Sequence, residues 1–142
     1  MYKALQIVLG DHVMQHGSNI TEERLRFDFN HPEKMTADQI RQVENIVNQQ
    51  IDNDLQVSWE EHPTEYALNE MHVKGAFGDR YGAVVKCYRM QASDSSEPFS
   101  LEICGGPHVE HTAQLGEGGK RFAIVKEESS SAGIRRIKAV LR

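Results

Sequence analysis

The sequence predicts an α+β fold, with an antiparallel or mixed sheet that carries its helices on one face. Three observations predict it. Apolar residues alternate with a period of two in several segments, most clearly at Leu25, Phe27 and Phe29. Segments with helical apolar spacing stand between them, and short polar connections join successive strands as in hairpins. The length of 142 residues suits one unit, so we expect a single domain over 1–142.

The first element is a helix that the sequence enters partway. Leu5, Val8 and Leu9 have helical spacing, and Gly10 follows at a C-cap position, so a helix is predicted over 2–10. No N-cap residue precedes this pattern. We therefore expect that the sequence lacks the beginning of its first helix.

Strands and helices then follow in mixed order. Thr36 and Gln39 form a capping-box sequence, which predicts a helix through about Asn53. The other predicted elements are strands at 13–20, 24–30, 55–61, 83–90, 99–103, 121–126 and 134–141 and a short helix at 63–71. Loops or turns are expected at 75–82, 92–98, 116–120 and 129–133, the last of them a flexible loop.

Composition limits the classes of function. The formal charge of −5 argues against binding nucleic acid through overall charge, so an RNA contact would need a local cluster such as Arg135-Arg136-Ile137-Lys138. Two cysteines are too few for a disulfide framework, which fits a reducing cytosol. We expect Cys87 to be a core or sheet residue. No apolar run reaches membrane-span length and the N-terminus lacks signal-peptide features, so a cytoplasmic location is expected.

A Cys-x-x-x-His pair follows the strand predicted at 99–103. Cys104 and His108 are separated by Gly105, Gly106 and Pro107. Zinc prefers cysteine and histidine ligands, and a glycine pair lets the chain turn tightly enough to bring both onto one ion. Two ligands alone are weak support for a metal site. A turn with a chance cysteine and an exposed histidine is the alternative interpretation.

Five stretches, at 9–18, 25–30, 77–82, 101–109 and 128–140, together resemble the editing domain of alanyl-tRNA synthetases. This family is related to free-standing alanyl-tRNA trans-editing proteins and to the editing module of threonyl synthetases. The stretches run the whole length of the chain in the family's order, which is more specific than any single motif. The closing Ala-Gly-Ile-Arg-Arg-Ile segment is similar to alanyl rather than threonyl enzymes.

The resemblance implies a zinc-dependent hydrolase that removes serine or glycine from mischarged tRNA(Ala). Cys104 and His108 match the second ligand pair, and Gln15 matches a glutamine that lines the pocket. Arg135 matches an arginine that meets the tRNA acceptor end. In this interpretation the amides of Gly105 and Gly106 stabilise the developing oxyanion. The rest of a synthetase chain is an expected partner, and DNA and membranes are not.

The family's first ligand pair, a His-x-x-x-His on the first helix, precedes the start of this sequence. The fragment is therefore expected to be impaired, and whether it binds zinc is left open at this level. His12 and His16 have the same spacing, but Gly10 should already have ended the helix, and residues four apart on a strand lie about 13 Å from each other. We therefore expect these histidines to be solvent or loop residues.

Several alternatives stay open at the level of sequence. Gln15 could be an ordinary polar strand residue, and Arg135 and Arg136 could form a solvated strand face, although adjacent strand residues must point to opposite sides. Asp28 is predicted to be exposed, opposite the phenylalanines beside it. A non-catalytic tRNA-binding or structural module of the same fold is one functional alternative. Pro107 motivates another, a threonyl-type editing module.

Overall fold

The computed structural model describes residues 1–78, 80–104 and 108–142. Its helices are α1 (Tyr2–Leu9), α2 (Ala37–Asp52), α3 (Thr64–Asn69) and a 3₁₀ segment at Thr112–Gly119. Its strands are β1 (Gln15–Ile20), β2 (Leu25–Asn30), β3 (Gln56–Pro63), β4 (Val84–Gln91), β5 (Ser100–Ile103), β6 (Phe122–Ser131) and β7 (Ile134–Leu141). No helix in these ranges is long and apolar enough to cross a membrane.

The α+β prediction is confirmed, but the strands form two antiparallel sheets rather than one. The first sheet has four strands in the order β1-β2-β7-β6, and the second has three in the order β3-β4-β5. The chain thus enters the four-stranded sheet, leaves it for the whole second sheet, and returns through β6 and β7. Periodicity marks which segments are strands but not which strands pair, so the division was not predictable from it.

The four-stranded sheet packs its apolar face against α1 and α2. Phe27 and Ile137 are cross-strand partners on this face, and they join Leu5 of α1 and Val43 of α2 in the main core cluster. The predicted capping box is confirmed: the Thr36 hydroxyl accepts the Gln39 N–H at 3.1 Å, and the Gln39 side chain accepts the Thr36 N–H at 3.0 Å. α2 therefore starts where the sequence predicted, with its apolar stripe on the sheet.

The three-stranded sheet has a smaller core of its own. One of its faces packs on α3 through Ala67, Val85 and Cys87, with Val73 beside them. Cys87 is 3% exposed, which confirms the prediction that it is a core residue. The opposite face carries Trp59, Tyr88 and Glu102 in one cross-strand row.

An extended segment at 73–77 joins the edges of the two sheets. The Lys74 N–H donates to the Leu101 carbonyl of β5 at 3.1 Å, and the Lys74 carbonyl accepts the Ile103 N–H at 2.8 Å. Three residues later, the Phe77 N–H donates to the Gln15 carbonyl of β1 at 2.7 Å. The same short segment therefore pairs with β5 at Lys74 and with β1 at Phe77. This double pairing fixes the relative positions of the candidate site residues on the two sheets.

One predicted connection differs from the structure. The flexible loop expected at 129–133 is instead the end of β6, which runs to Ser131, followed by a tight turn in which Gly133 has a φ of 72°. Pairing with β7 orders these serines, although their composition favours a loop. The turn expected at 116–120 lies at the end of the 3₁₀ segment, where Glu117 and Gly118 have non-helical backbone angles.

Candidate functional site

Cys104 lies at the end of β5, and strand alternation assigns it to the face of the three-stranded sheet that carries Tyr88 and Glu102. Its N–H donates to the Lys86 carbonyl of β4 at 3.3 Å, which continues the pairing of the two strands by one residue. Cys104 is half-buried. The core around Cys87 and α3 is on the other face, so packing against α3 does not account for a cysteine at this position.

His108 lies against the same face. Its ring stacks on Tyr88, with the ring centroids 3.9 Å apart and the planes 20° from parallel. Burial lowers the pKa of the imidazole, which favours the neutral form that binds metals. Within the described residues, Nε2 is buried and has no hydrogen-bond partner. A buried ring nitrogen of this kind costs free energy unless a ligand or ion satisfies it.

The predicted ligand pair therefore lies beside β4, on one face of the three-stranded sheet. The backbone of Cys104 bonds to Lys86 of β4, and the ring of His108 stacks on Tyr88 of the same strand. Residues two apart on a strand, such as Lys86 and Tyr88, lie about 7 Å from each other on one face. Long side chains attached at that separation can reach a common point. In the described residues, no group of three or more His, Cys, Asp or Glu side chains could hold a metal ion.

The start of α1 lies beside this pair. The amino group of Met1 and the carboxyl group of Glu102, two residues before Cys104, interact electrostatically. Burial raises the pKa of Glu102, and the Met1 amino group opposes that shift. Burial likewise lowers the pKa of the Met1 amino group. The start of α1 therefore lies near Glu102 of β5.

Gln15 stands at the first position of β1, where three elements meet. Its N–H donates to the Tyr2 hydroxyl at 3.0 Å, and that hydroxyl donates to the Gly75 carbonyl at 2.9 Å. Its side-chain amide donates to the Ser18 hydroxyl at 2.9 Å. The backbone of Gln15 is therefore fixed to α1 and to the segment at 73–77, and its side chain lies where this segment pairs with the edge of the sheet.

Arg135 and Arg136 point to opposite faces, as their adjacent strand positions predicted. Arg135 donates from Nε and Nη2 to Glu127, at 3.0 and 2.6 Å, and only 16% of its side chain is exposed. Arg136 makes a two-point contact with Asp28 on the outer face, at 2.8 and 3.0 Å. Arg135 and Gln15 share a cross-strand row through Phe29, which places them two strand spacings, about 10 Å, apart.

The prediction that Asp28 is exposed is wrong. Only 7% of this residue is accessible, because Arg26 and Arg136 flank its carboxylate on the outer face of the sheet. The hydrogen bond from Arg136 lowers the pKa of Asp28, and burial opposes the shift. Alternation correctly placed Asp28 opposite Phe27 and Phe29, but it did not show that other side chains cover that face.

The histidines at 12 and 16 have separate partners. Nε2 of His12 lies 2.9 Å from Nδ1 of His31, and the two rings stack at the end of the four-stranded sheet. His16 stacks on Phe77 instead, with the centroids 4.5 Å apart. Their spacing of four falls across a turn and a strand rather than on a helix.

Gly105, Gly106 and Pro107, to which the sequence also assigned roles, lie outside the described residues.

Sequence reasoning missed the side chains that surround the ligand pair. Tyr88 supports the His108 ring, and Glu102 lies two residues before Cys104 on the same face. The ammonium group of Lys86 lies 4.3 Å from the ring centre of Trp59, in a cation–π contact on this face. The period of two would have found Glu102 from Cys104. The hairpin connection expected at 92–98 predicts that β4 pairs with β5, but not the register that adds Tyr88 and Lys86.

Residues 85–138 match the family described as threonyl and alanyl tRNA synthetase second additional domain. Residues 85–138, which run from β4 to β7, therefore belong to this family.

Curated relatives refine the assignment to the alanyl branch. The chain is 55% identical over 144 residues to the alanine–tRNA ligase of Borrelia garinii subsp. bavariensis, 52% over 141 residues to that of Treponema denticola, and 43% over 140 residues to that of Thermus thermophilus. Each alignment covers 99% of this chain. The chain spans 22% of the length of the two spirochaete relatives and 15% of the Thermus one.

Proposed function

We propose that this chain is the editing domain of an alanine–tRNA ligase and hydrolyses the ester that joins serine or glycine to tRNA(Ala). The observation that carries the proposal is the arrangement of Cys104 and His108 on one sheet face, with Nε2 of His108 buried and without a hydrogen-bond partner in the described part of the chain. The alanine–tRNA ligases that align with 99% of the chain support the choice of tRNA.

The residues present suit zinc. Cys104 and His108 would hold the ion, and the remaining protein ligands would come from the His-x-x-x-His that the resemblance places ahead of α1. Bound zinc with an open position supplies a Lewis acid at the ester. The stack on Tyr88 fixes the plane of the His108 ring, so the ring nitrogen is oriented before any ion binds.

The other side chains of the site position the substrate in this proposal. Gln15 orients the ester carbonyl or the attacking water, because its backbone is fixed at both N–H and carbonyl while its amide stays on the sheet edge. The amides of Gly105 and Gly106 donate to the developing oxyanion. Arg135 contacts the RNA 3′ end through guanidinium donors that Glu127 leaves available, since Glu127 occupies Nε and Nη2.

A second hydrolytic site has a clear purpose in such an enzyme. Serine and glycine differ from alanine by a hydroxyl or a methyl group, and a difference of this size is worth only about 1–3 kcal/mol in a binding pocket. A synthetic site that selects alanine by size therefore mischarges tRNA(Ala) at a measurable rate. Hydrolysis at a separate site removes these products.

The proposal is tested by replacing the ligand residues in a longer chain that restores the segment ahead of α1. His108→Ala and Cys104→Ala should each lower bound zinc, measured by elemental analysis, and reduce deacylation of Ser-tRNA(Ala) by at least about a hundredfold. His62→Ala and Cys87→Ser are matched controls on the opposite face of the same sheet, and both should keep zinc and activity. The 142-residue chain itself should bind less zinc than the longer chain.

Two outcomes would reject the assignment. A longer chain with neither zinc nor hydrolysis would leave a non-catalytic tRNA-binding module of the same fold. Hydrolysis of Ser-tRNA(Thr) in preference to Ser-tRNA(Ala) would make this a threonyl-type module, the alternative that Pro107 motivated. All of the relatives described above are alanine–tRNA ligases, which favours Ser-tRNA(Ala).

A further inference from the structure

The outer face of the four-stranded sheet has an unusual distribution of charge. This face is opposite to the one that packs on α1 and α2. The strand register places Arg26, Lys138 and Lys126 directly beside one another across β2, β7 and β6. Like charges in directly opposed positions destabilise a sheet unless an anion compensates them. A row of three cations is notable in a chain with a formal net charge of −5.

Acidic neighbours compensate the row only in part. Glu128 lies 3.1 Å from the ammonium of Lys126 and 3.7 Å from that of Lys138, so one carboxylate is shared by two lysines. Asp28 is bonded to Arg136 and lies 3.8 Å from Arg26. Nε of Arg26 is buried and has no hydrogen-bond partner within the described residues. The face therefore carries more cations than carboxylates, and one of its donors is unsatisfied.

An exposed aromatic platform borders this face at the edge of β1. Phe77 is 61% exposed, and its ring stacks on His16 with the planes 14° apart. His16 is close enough to Asp28 to interact with it electrostatically, which connects the platform to the charged face. The Phe77 N–H bonds to the Gln15 carbonyl at 2.7 Å. The platform is thus adjacent to the residue that we propose positions the ester.

We infer that this outer face binds the phosphodiester backbone of an RNA acceptor arm, and that the ring of Phe77 stacks on a base of its single-stranded end. The inference rests on the proposed function and adds a docking surface to it. Phosphates are the anions that a row of cations would favour, and bases stack on exposed aromatic rings regardless of sequence. A short distance from the platform to Gln15 would let the terminal ester reach the site.

The phosphate contact is tested with the lysines of the row. The probe is an RNA hairpin with the acceptor-arm sequence and a single-stranded CCA end. It carries no attached amino acid, so no hydrolysis is involved. In the 142-residue chain, Lys126→Ala with Lys138→Ala should weaken binding on the order of tenfold at about 0.1 M salt and lower the slope of log K against log salt by about one for each lysine. Lys34→Ala with Lys120→Ala removes two exposed lysines elsewhere and should change neither quantity.

The stacking contact is tested separately with 2-aminopurine in the single-stranded end. Phe77→Ala should weaken binding about five- to fiftyfold and abolish the quenching of this base, whereas Phe77→Trp should keep both. A hairpin without the single-stranded end should bind the wild type and Phe77→Ala equally. Tyr66→Ala removes another exposed aromatic ring, 49% accessible, that packs beside His62 of the other sheet, and it should have no effect.

Equal RNA affinity of the row variant and its lysine control would overturn the phosphate assignment, and unchanged quenching in Phe77→Ala would overturn the stacking one. If, in the longer chain without RNA, Lys126 and Lys138 were less accessible to reductive methylation than in the 142-residue chain, another domain would cover this face and the inference would be wrong. Because the RNA probe carries no amino acid, a failed deacylation assay would reject the proposed function without affecting these binding results.

Discussion

At the scale of single residues, a buried ion pair sets the position of Arg135. Glu127 is 2% exposed at its side chain, and it accepts two hydrogen bonds from Arg135 and a third from the Met35 N–H at 2.9 Å. The pair therefore ties β6 and β7 to the segment that leads into α2. Burial of both charges is costly, and the three hydrogen bonds offset that cost.

Glu127→Gln should destabilise the fold by about 3 kcal/mol, because the charge of Arg135 would be left buried without its counter-ion. The glutamine oxygen can still accept the Met35 N–H, so the loss reports on the ion pair. The measurement is the free energy of unfolding from urea denaturation. Glu128→Gln, in the neighbouring and more accessible position, should cost less than about 1 kcal/mol. Equal losses in the two variants would contradict this account.

Asp28 should make stability depend on pH in the acid range. Its pKa is lowered from the ordinary value of 3.8, first by the hydrogen bond from Arg136, so folding favours the ionised form. Its contribution is therefore complete above pH 3.8 and is lost as the pH falls towards the lower folded-state pKa. The difference in unfolding free energy between the wild type and Asp28→Asn should be constant near neutral pH and shrink below pH 3.8.

Asp38→Asn is the comparison for this titration. The pKa of Asp38 is also lowered, but this residue is exposed on α2, where solvent screening should make the pH dependence smaller than that of Asp28→Asn. A pH-independent difference for Asp28→Asn, down to pH 2, would show that the ionised carboxylate is not preferred in the folded state.

The prediction from sequence that Asp28 is exposed failed for a reason visible here. Its partner Arg136 is 108 residues away, and no local pattern reports such a pair.

At the scale of elements, the sequence predicted what local chemistry determines. α1 ends at Leu9 before Gly10, α2 has the capping box of Thr36 and Gln39, and β2 follows its alternating phenylalanines. The extension of β6 was missed because its serines favour a loop by composition, and the 3₁₀ segment was missed because its partner Gln50 is 62 residues away. The Cys-x-x-x-His pair was found from residue type and spacing, whereas the Tyr88 ring beneath His108 depends on the register of β4 with β5.

Gly75 should be required for the segment at 73–77 to join the two sheets. A Cβ atom at this position would lie 2.2 Å from the Tyr81 hydroxyl, which also accepts the Ala76 N–H. Gly75→Ala should therefore displace Tyr81, cost about 1–3 kcal/mol by overpacking, and disturb Gln15 through the Tyr2 hydroxyl. Unfolding by urea gives the free energy, and deacylation in the longer chain should fall more than stability alone explains.

The matched control for that variant is Gly78→Ala, a neighbouring glycine with open space around its Cβ position but a φ of 73°. It should cost about 1 kcal/mol through backbone strain and leave the hydrogen bonds of Gln15 intact. Deacylation by Gly78→Ala should therefore stay near the wild-type rate. Equal activity in the two glycine variants would show that the joining segment does not position Gln15.

At the scale of the whole molecule, the two sheets have unequal cores. The four-stranded sheet packs on two helices around large buried side chains such as Phe29 and Leu5. The core of the three-stranded sheet consists of small residues against the six-residue α3. Regions with less buried apolar surface open at lower free energy than the rest of a protein. The candidate ligand pair therefore lies on the sheet that we expect to open first.

Native-state hydrogen exchange should resolve this difference. Amides of β4 and β5 should exchange through an opening that leaves β2 and β7 protected. Zinc bound by the longer chain should slow exchange in β4 and β5 most, because Cys104 and His108 both lie against these strands. Val85→Ala should lower the opening free energy of the three-stranded sheet by about 2 kcal/mol without affecting β2 and β7. Val43→Ala, in the larger core, should accelerate exchange in both sheets, since global unfolding exposes all of them. A single opening free energy for the amides of both sheets would instead make the molecule one cooperative unit, and zinc would then stabilise it uniformly.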